Sequence, residues 1–240
     1  MPIFQRDAIH LYYEEHGTGF PVLLIAPGGM RSAVSFWERT PWNPITHLAP
    51  HYRVIAMDQR NAGSSVAPVH ATDSWHVYTA DQLALLDHLG VQQCHVAGMC
   101  IGGPYIMGLI QAAPQRIASA VLLQPIGLDN NREAFFAMFD SWAQELKPQR
   151  PEVSPETWEV FKTSMYSGDF LFNVSRQFVA HCQTPLLVFM GNDLYHPAST
   201  SREIAELAPH ATFIERWKEP EYQAAGKEAV EQFLLAYTPR

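Results

Sequence analysis

The 240-residue chain is 47% hydrophobic and 17% charged, enough apolar material for the core of one large domain and too much for a disordered or fibrous protein. Lys and Arg number 16 against 24 Asp and Glu, a net charge of -8 with neutral histidines, and no basic run exists that would neutralise phosphates, so nucleic acid is not an expected partner. No apolar run approaches the roughly 20 residues of a membrane span, so neither is a membrane.

The first residues, MPIFQRDAIHLYYEEHG, lack the charged segment and apolar stretch of a secretory leader, and a cytoplasmic location is expected. Three cysteines, Cys94, Cys100 and Cys182, cannot close a disulfide framework, which fits a reducing compartment. Ile9 to Glu14 is β-rich and follows the turn-prone Arg6-Asp7, which predicts an opening hairpin. Val22 to Ile25 and Tyr52 to Met57 read as buried strands, the first ending in Pro27-Gly28-Gly29 and the second at Asp58. Ser74 to Leu89 carries Val77, Leu83, Leu85, Leu86 and Leu89 at helical spacing, with Gly90 as its stop. Cys94 to Ala97 predicts a strand, Ile101 to Ala113 a helix, and Ala118 to Leu123 and Pro185 to Met190 two further strands. Ser199 to Leu207 reads as a helix, Ala211 to Ile214 as a last strand and Gln223 to Tyr237 as a last helix.

Short strands alternating with helices predict an α/β fold, a mostly parallel sheet covered by helices on both faces, over residues 1–240 as one domain. The stretch from Pro125 to Thr184 breaks the rhythm. It holds many aromatics (Phe135, Phe139, Trp142, Trp158 and Phe161 among them) and no strand pattern, so a small helical cap is expected over about 125–184. Most of these aromatics should form the cap's own core and part should line an apolar pocket, with Phe139 a candidate.

His95-Val96-Ala97-Gly98-Met99-Cys100-Ile101-Gly102-Gly103 carries the most chemistry. A strand runs into a Gly-x-Cys-x-Gly-Gly turn that opens directly into a helix, the context in which a nucleophile is pushed out at the top of a sheet. It also sets Cys100 at a helix N-terminus, whose positive end favours thiolate. Gly17-Thr18-Gly19 is a turn with no helix after it, so no dinucleotide fingerprint is present and no cofactor is expected. Asp193-x-x-His196 offers only two ligands, and no metal is expected.

With these motifs the chain resembles the α/β-hydrolase fold superfamily over essentially its whole length. Ile25-Ala26-Pro27-Gly28-Gly29-Met30 stands where the family has a strand followed by its oxyanion loop, and Asp58 to Ser65 is similar to the family's Asp-x-Arg-Gly-x-Gly-x-Ser turn. Met190-Gly191-Asn192-Asp193, followed by His196-Pro197, resembles the loop that carries the catalytic acid, one residue shorter than the common form. A cysteine elbow also occurs in dienelactone hydrolases and polyhydroxyalkanoate synthases, both with Cys-His-Asp triads. The Asp58–Ser65 turn belongs instead to the esterase and peroxidase-like branch, and the chain is short for a synthase.

The resemblance implies Cys100 as nucleophile, Asp193 as acid and backbone N–H groups of Ile101 and of Gly29 or Met30 as the oxyanion hole. The family's histidine follows the last strand, but here that segment reads Thr212-Phe213-Ile214-Glu215-Arg216-Trp217-Lys218 and no histidine follows His210. Of 11 histidines, His196 on the acid loop and His76 at the start of a helix reach the top of the sheet on topological grounds, and His196 is the expected base. The implied activity is an acyl hydrolase or acyltransferase acting on a small ester, thioester or lactone through a Cys100 thioacyl intermediate. Two other readings remain open at this level: lyase, isomerase or decarboxylase chemistry in the same pocket, and a ligand-binding protein without catalysis. The expected partners are a small-molecule substrate and at most a second copy of the chain in a homodimer.

Overall fold

Val22, Leu23, Leu24 and Ile25 are all fully buried, which a strand achieves only when both faces of its sheet are covered. The computed structural model describes residues 2–239. Eight strands form one sheet: β1 (Ile3–Arg6), β2 (Ile9–His16), β3 (Pro21–Ile25), β4 (Arg53–Met57), β5 (Cys94–Cys100), β6 (Ile117–Pro125), β7 (Leu186–Phe189) and β8 (Ala211–Ile214). Their order is β1-β2-β4-β3-β5-β6-β7-β8. The β1–β2 and β2–β4 pairs are antiparallel and every other pair is parallel. Among the described residues eight α-helices accompany them: α1 (Pro44–Leu48), α2 (Trp75–His88), α3 (Gly102–Ala112), α4 (Arg132–Leu146), α5 (Pro155–Tyr166), α6 (Arg176–Ala180), α7 (Ala198–Leu207) and α8 (Pro220–Tyr237).

Strand side chains alternate between two cores, as the two-residue period requires. Leu23 and Ile25 join the cluster made with α2, α3, α4 and α5, while Val22 and Leu24 join the one made with α1 and α8. The strands and long helices read from the sequence are therefore present, with ends shifted by at most three residues. The pieces that escape it include α1, whose start is set by Asn43 accepting the Ile45 N–H at 2.9 Å, and the 3₁₀ turns Gly29–Arg31, Val34–Arg39, Pro114–Arg116 and Lys147–Gln149. Three short or medium helices, α4 to α6, occupy the chain between β6 and β7. Among the described residues no helix is long and apolar enough to cross a membrane.

The lower end of the sheet holds a buried histidine. His95 lies fully buried on β5, with its Nδ1 2.8 Å from Ser119 Oγ and its Nε2 3.0 Å from Thr238 Oγ1. Burial lowers its pKa to about 4 from 6.5. A folded pKa below the unfolded one means that the neutral ring stabilises the fold above pH 6.5, and that this is lost as pH falls from 6.5 towards 4. The full loss is about 3 kcal/mol. We expect thermal unfolding across that window to show a steep fall in Tm that His95→Gln flattens. Parallel profiles for the two proteins would assign the acid lability to other groups.

Candidate active site

The C-terminal ends of the parallel strands lie along one edge of the sheet, and the loops leaving β3, β5, β6 and β7 converge there. Cys100 ends β5 with φ 62, the left-handed region that an L residue enters at a cost. The turn is possible because its flanks are bare. A Cβ on Gly98 would meet Gly102 Cα at 3.0 Å, and a Cβ on Gly102 would meet the Ile25 carbonyl oxygen at 2.9 Å. These contacts let α3 start immediately after Cys100 and pack hard against β3.

Cys100, Gly28, Gly29, Ile126, Phe135, Met138, Tyr195 and His196 line a cavity of about 220 Å³. Its walls are almost wholly apolar apart from the thiol and the imidazole. The acid loop supplies His196. Asp193 and His196 exchange backbone hydrogen bonds, Asp193 N–H to the His196 carbonyl and the reverse, both at 3.2 Å. His196 Nδ1 donates to Asp193 Oδ1 at 2.7 Å, and that oxygen also accepts the backbone N–H groups of Tyr195 and His196. The imidazole is thereby held with Nε2 buried and without a nitrogen or oxygen partner. Beside it lies the Cys100 thiol, with which it interacts through charge and a hydrogen bond.

Burial pushes the Cys100 thiol up, but the His196 charge and the backbone N–H groups of Gly28 and Ile101 outweigh it, and the thiol titrates below its ordinary value. Burial pushes His196 down, and the Cys100 thiolate and Asp193 outweigh that in turn, so the imidazole titrates above its ordinary value. The two groups favour a thiolate–imidazolium pair. Asp193 is likewise drawn below the usual carboxylate range: burial raises it, and its hydrogen bond to His196 more than compensates. The other cysteines behave oppositely. Burial drives Cys94 up to about 12 and raises Cys182 as well.

The residues expected from the sequence divide as follows. Cys100, His196 and Asp193 come together. The N–H groups bonded to the thiol are those of Ile101 and Gly28. Gly29 lines the cavity beneath Met138, whereas Met30 is buried in the 3₁₀ turn and does not line it. His76 is far from this constellation in role: it borders a different cavity with Ser74, Thr79 and Gln111. Phe139 packs among Trp142 and Phe161 with centroids at 5.3 and 5.2 Å and does not line the cavity; Phe135, one turn earlier on α4, and Met138 do.

Several supporting residues gave no sequence signal. Where the resemblance places a histidine, Trp217 donates its Nε1–H to the Met190 carbonyl at 2.9 Å and Lys218 donates to Asn192 Oδ1 at 2.7 Å, so both brace the acid loop. Asn131, buried at the start of α4, donates to the Gly127 carbonyl at 3.1 Å and to the Leu194 carbonyl at 2.7 Å. Its position before a helix could have been read as a cap, but its tie to a loop 63 residues away could not. Gly191 is essential to the short loop, since a Cβ there would lie 2.3 Å from the His196 carbonyl oxygen and 2.6 Å from its Cβ. Gly191→Ala should therefore displace His196 and move the pH profile of Cys100 alkylation upward, with little change in global stability. An unaltered profile would mean that the loop absorbs the clash elsewhere.

The chain belongs to the α/β hydrolase fold family, whose model matches residues 21–155. It is 36% identical over 126 residues to the Azorhizobium caulinodans protein named carbamate hydrolase RutD, a match covering 51% of this chain and 44% of that one. It is 34% identical over 128 residues to BpoC of Mycobacterium tuberculosis, named a non-heme bromoperoxidase, covering 53% and 47%. The chain thus spans about half the length of the curated relatives it matches. Among solved structures, the enol-lactonase from Burkholderia xenovorans LB400 superposes with a TM-score of 0.72 at 21% identity, over 98% of this chain and all of that one, which is a likeness of fold.

Proposed function

We propose that the protein is an acyl hydrolase that cleaves small esters, thioesters or lactones through a thioacyl intermediate on Cys100. The observation that carries this reading is the pairing of a depressed thiol at φ 62 with a buried imidazole that Asp193 orients in the same small cavity. The Cys100 thiolate attacks the substrate carbonyl carbon, and the N–H groups of Ile101 and of Gly29 or Met30 receive the oxyanion; one such donor is worth roughly 3–4 kcal/mol in measured systems. The bond to the leaving group breaks as that group takes the proton from His196. His196 then takes a proton from water, the resulting hydroxide attacks the thioester carbonyl, and the thiolate departs. An alcohol, amine or thiol in place of water would make the same intermediate a donor for acyl transfer.

A cavity of about 220 Å³ with apolar walls favours a short acyl group. Helix α4 supplies two of those walls, Phe135 and Met138, so the inserted helices act as the cap that sets chain length. Met138→Ala should shift the preferred acyl chain towards longer members, whereas Phe139→Ala should lower stability by about 3–5 kcal/mol with the order of preference retained. A panel of N-acetylcysteamine thioesters and p-nitrophenyl esters, with intact mass after each incubation, tests the main reading. A thioacyl adduct on Cys100 and catalytic release are expected. Absence of both across the panel would overturn it.

A further inference from the structure

The 3₁₀ segments after β3, the turn at Asn61 and the end of α4 enclose a cavity of about 330 Å³ that Cys100 does not line. Its size falls at the lower end of the range for small-molecule sites. Three charged side chains reach it: Arg31, Glu145 and Arg150. The first two cancel, since Arg31 Nε and Nη2 donate to the two Glu145 carboxylate oxygens at 3.0 and 2.7 Å. Arg150 is left over. Its Nη1 donates to the Gln149 carbonyl at 3.1 Å, and its Nη2 to Asn61 Oδ1 and the Ala67 carbonyl, both at 3.3 Å. Each acceptor is neutral, two of the bonds are long, and the buried Nε has no partner at all. Among the described residues no carboxylate pairs with this guanidinium.

The surroundings hold that charge in place. Asn61 takes the left-handed backbone conformation at φ 56, its Oδ1 also accepts the Ala67 N–H at 2.9 Å, and its carbonyl accepts Trp142 Nε1–H at 3.1 Å. One turn thus fixes both the cation and an indole beside it. Trp142, Leu146 and Phe36 give the cavity apolar walls, and Phe36 is seated on the bare Gly28, where a Cβ would meet its ring at 3.1 Å. A half-buried guanidinium is costly to desolvate unless an anion completes it, and its planar fork matches a carboxylate. The chain as a whole carries a net charge of -8 and repels anions, so one bound here is held by the cavity and not by the general field.

We propose that this cavity is a second ligand site that takes a small organic carboxylate, with the carboxylate on Arg150 and an aromatic or short aliphatic body against Trp142 and Phe36. The site is independent of the hydrolase reading, although both cavities lie against α4, with Met138 in the one and Trp142, a turn further on, in the other.

Isothermal titration calorimetry with benzoate, benzamide and inorganic phosphate tests it. Benzoate should bind the native protein one-to-one with a Kd of about 1 mM or tighter. Benzamide keeps the ring without the charge and phosphate keeps the charge without the apolar body, so each should bind about ten-fold more weakly or worse. Arg150→Gln should weaken benzoate by about ten-fold or more. Arg150 also ties the cap to the turn at Asn61, so Ser35→Glu serves as a second variant. Ser35 is exposed on the cavity lining, and a carboxylate there should weaken benzoate to a similar degree with Tm changed by no more than about 2 °C. Cys100→Ala should bind benzoate as the native protein does, which keeps this outcome apart from that of the catalytic reading. The proposal is overturned if benzoate does not bind, if benzamide or phosphate binds as tightly, or if the affinity survives either Arg150→Gln or Ser35→Glu. Loss of binding in Cys100→Ala also overturns it, because the carboxylate would then sit beside the thiol.

Discussion

Cys100→Ala is expected to cut turnover of an acyl thioester by about 10⁴-fold or more while the protein stays folded. The side chain supplies the one depressed thiol of the chain, and the alternatives, Cys94 and Cys182, are buried with thiols pushed upward. Cys94→Ala and Cys182→Ala should accordingly retain activity. Cys100→Ser should be nearly as inactive as the alanine variant. The thiol is already drawn towards thiolate by His196 and the neighbouring N–H groups, whereas a serine hydroxyl ionises far less readily and depends wholly on the base. Cys100→Gly adds a stability signature. With φ 62 the position sits in the left-handed region, and glycine there should relieve about 1 kcal/mol of strain, so Tm should rise as activity vanishes. A Cys100→Ala protein with near-native turnover would sink the covalent route.

His196→Ala is expected to slow acylation by about 10²-fold or more, the usual scale for a general base. Its clearest signature is a titration. In the native protein the imidazolium is the leading influence drawing the thiol below its ordinary value against burial. Without it, burial is opposed only by the N–H groups of Gly28 and Ile101, and the thiol titrates higher. Alkylation of Cys100, which follows the thiolate, should therefore need a more alkaline pH in His196→Ala than in the native protein. Asp193→Asn should move the profile in the same direction by less, since the carboxylate acts through the imidazole. His76→Ala, in a separate cavity, should leave the profile in place. A silent His196→Ala beside a damaging His76→Ala would reassign the base.

How far these residues could be read from the chain depends on the range of the interaction that defines them. The buried strands and their alternation with helices were legible because a two-residue or 3.6-residue apolar period is a local property of sequence. So was the turn at Cys100, where glycines on both flanks and a strand before it leave few alternatives for the backbone. Asp193 and His196 could be named together because three residues of spacing on a tight loop keep them close. Phe139 and His76 show the limit. His76 lies on a helix read from the sequence and Phe139 in a stretch read only as a helical cap, but a helix start or an aromatic run does not say which side chains meet a given cavity, and neither lines the one that holds the thiol.

By itself, then, the sequence determined the sheet, the strained turn and the place of Cys100 on that turn, all of which rest on contacts between chain neighbours and on apolar periodicity. Tertiary structure alone decided the rest. Trp217 and Lys218, which follow β8, brace the acid loop, Asn131 ties it to α4, and the Gly28 N–H bonds the thiol. Arg150, between α4 and α5, reaches the turn at Asn61. Each of these is a contact between segments far apart in the chain, whose geometry is set by how helices and loops settle on the finished sheet, and no local pattern of residue types encodes it.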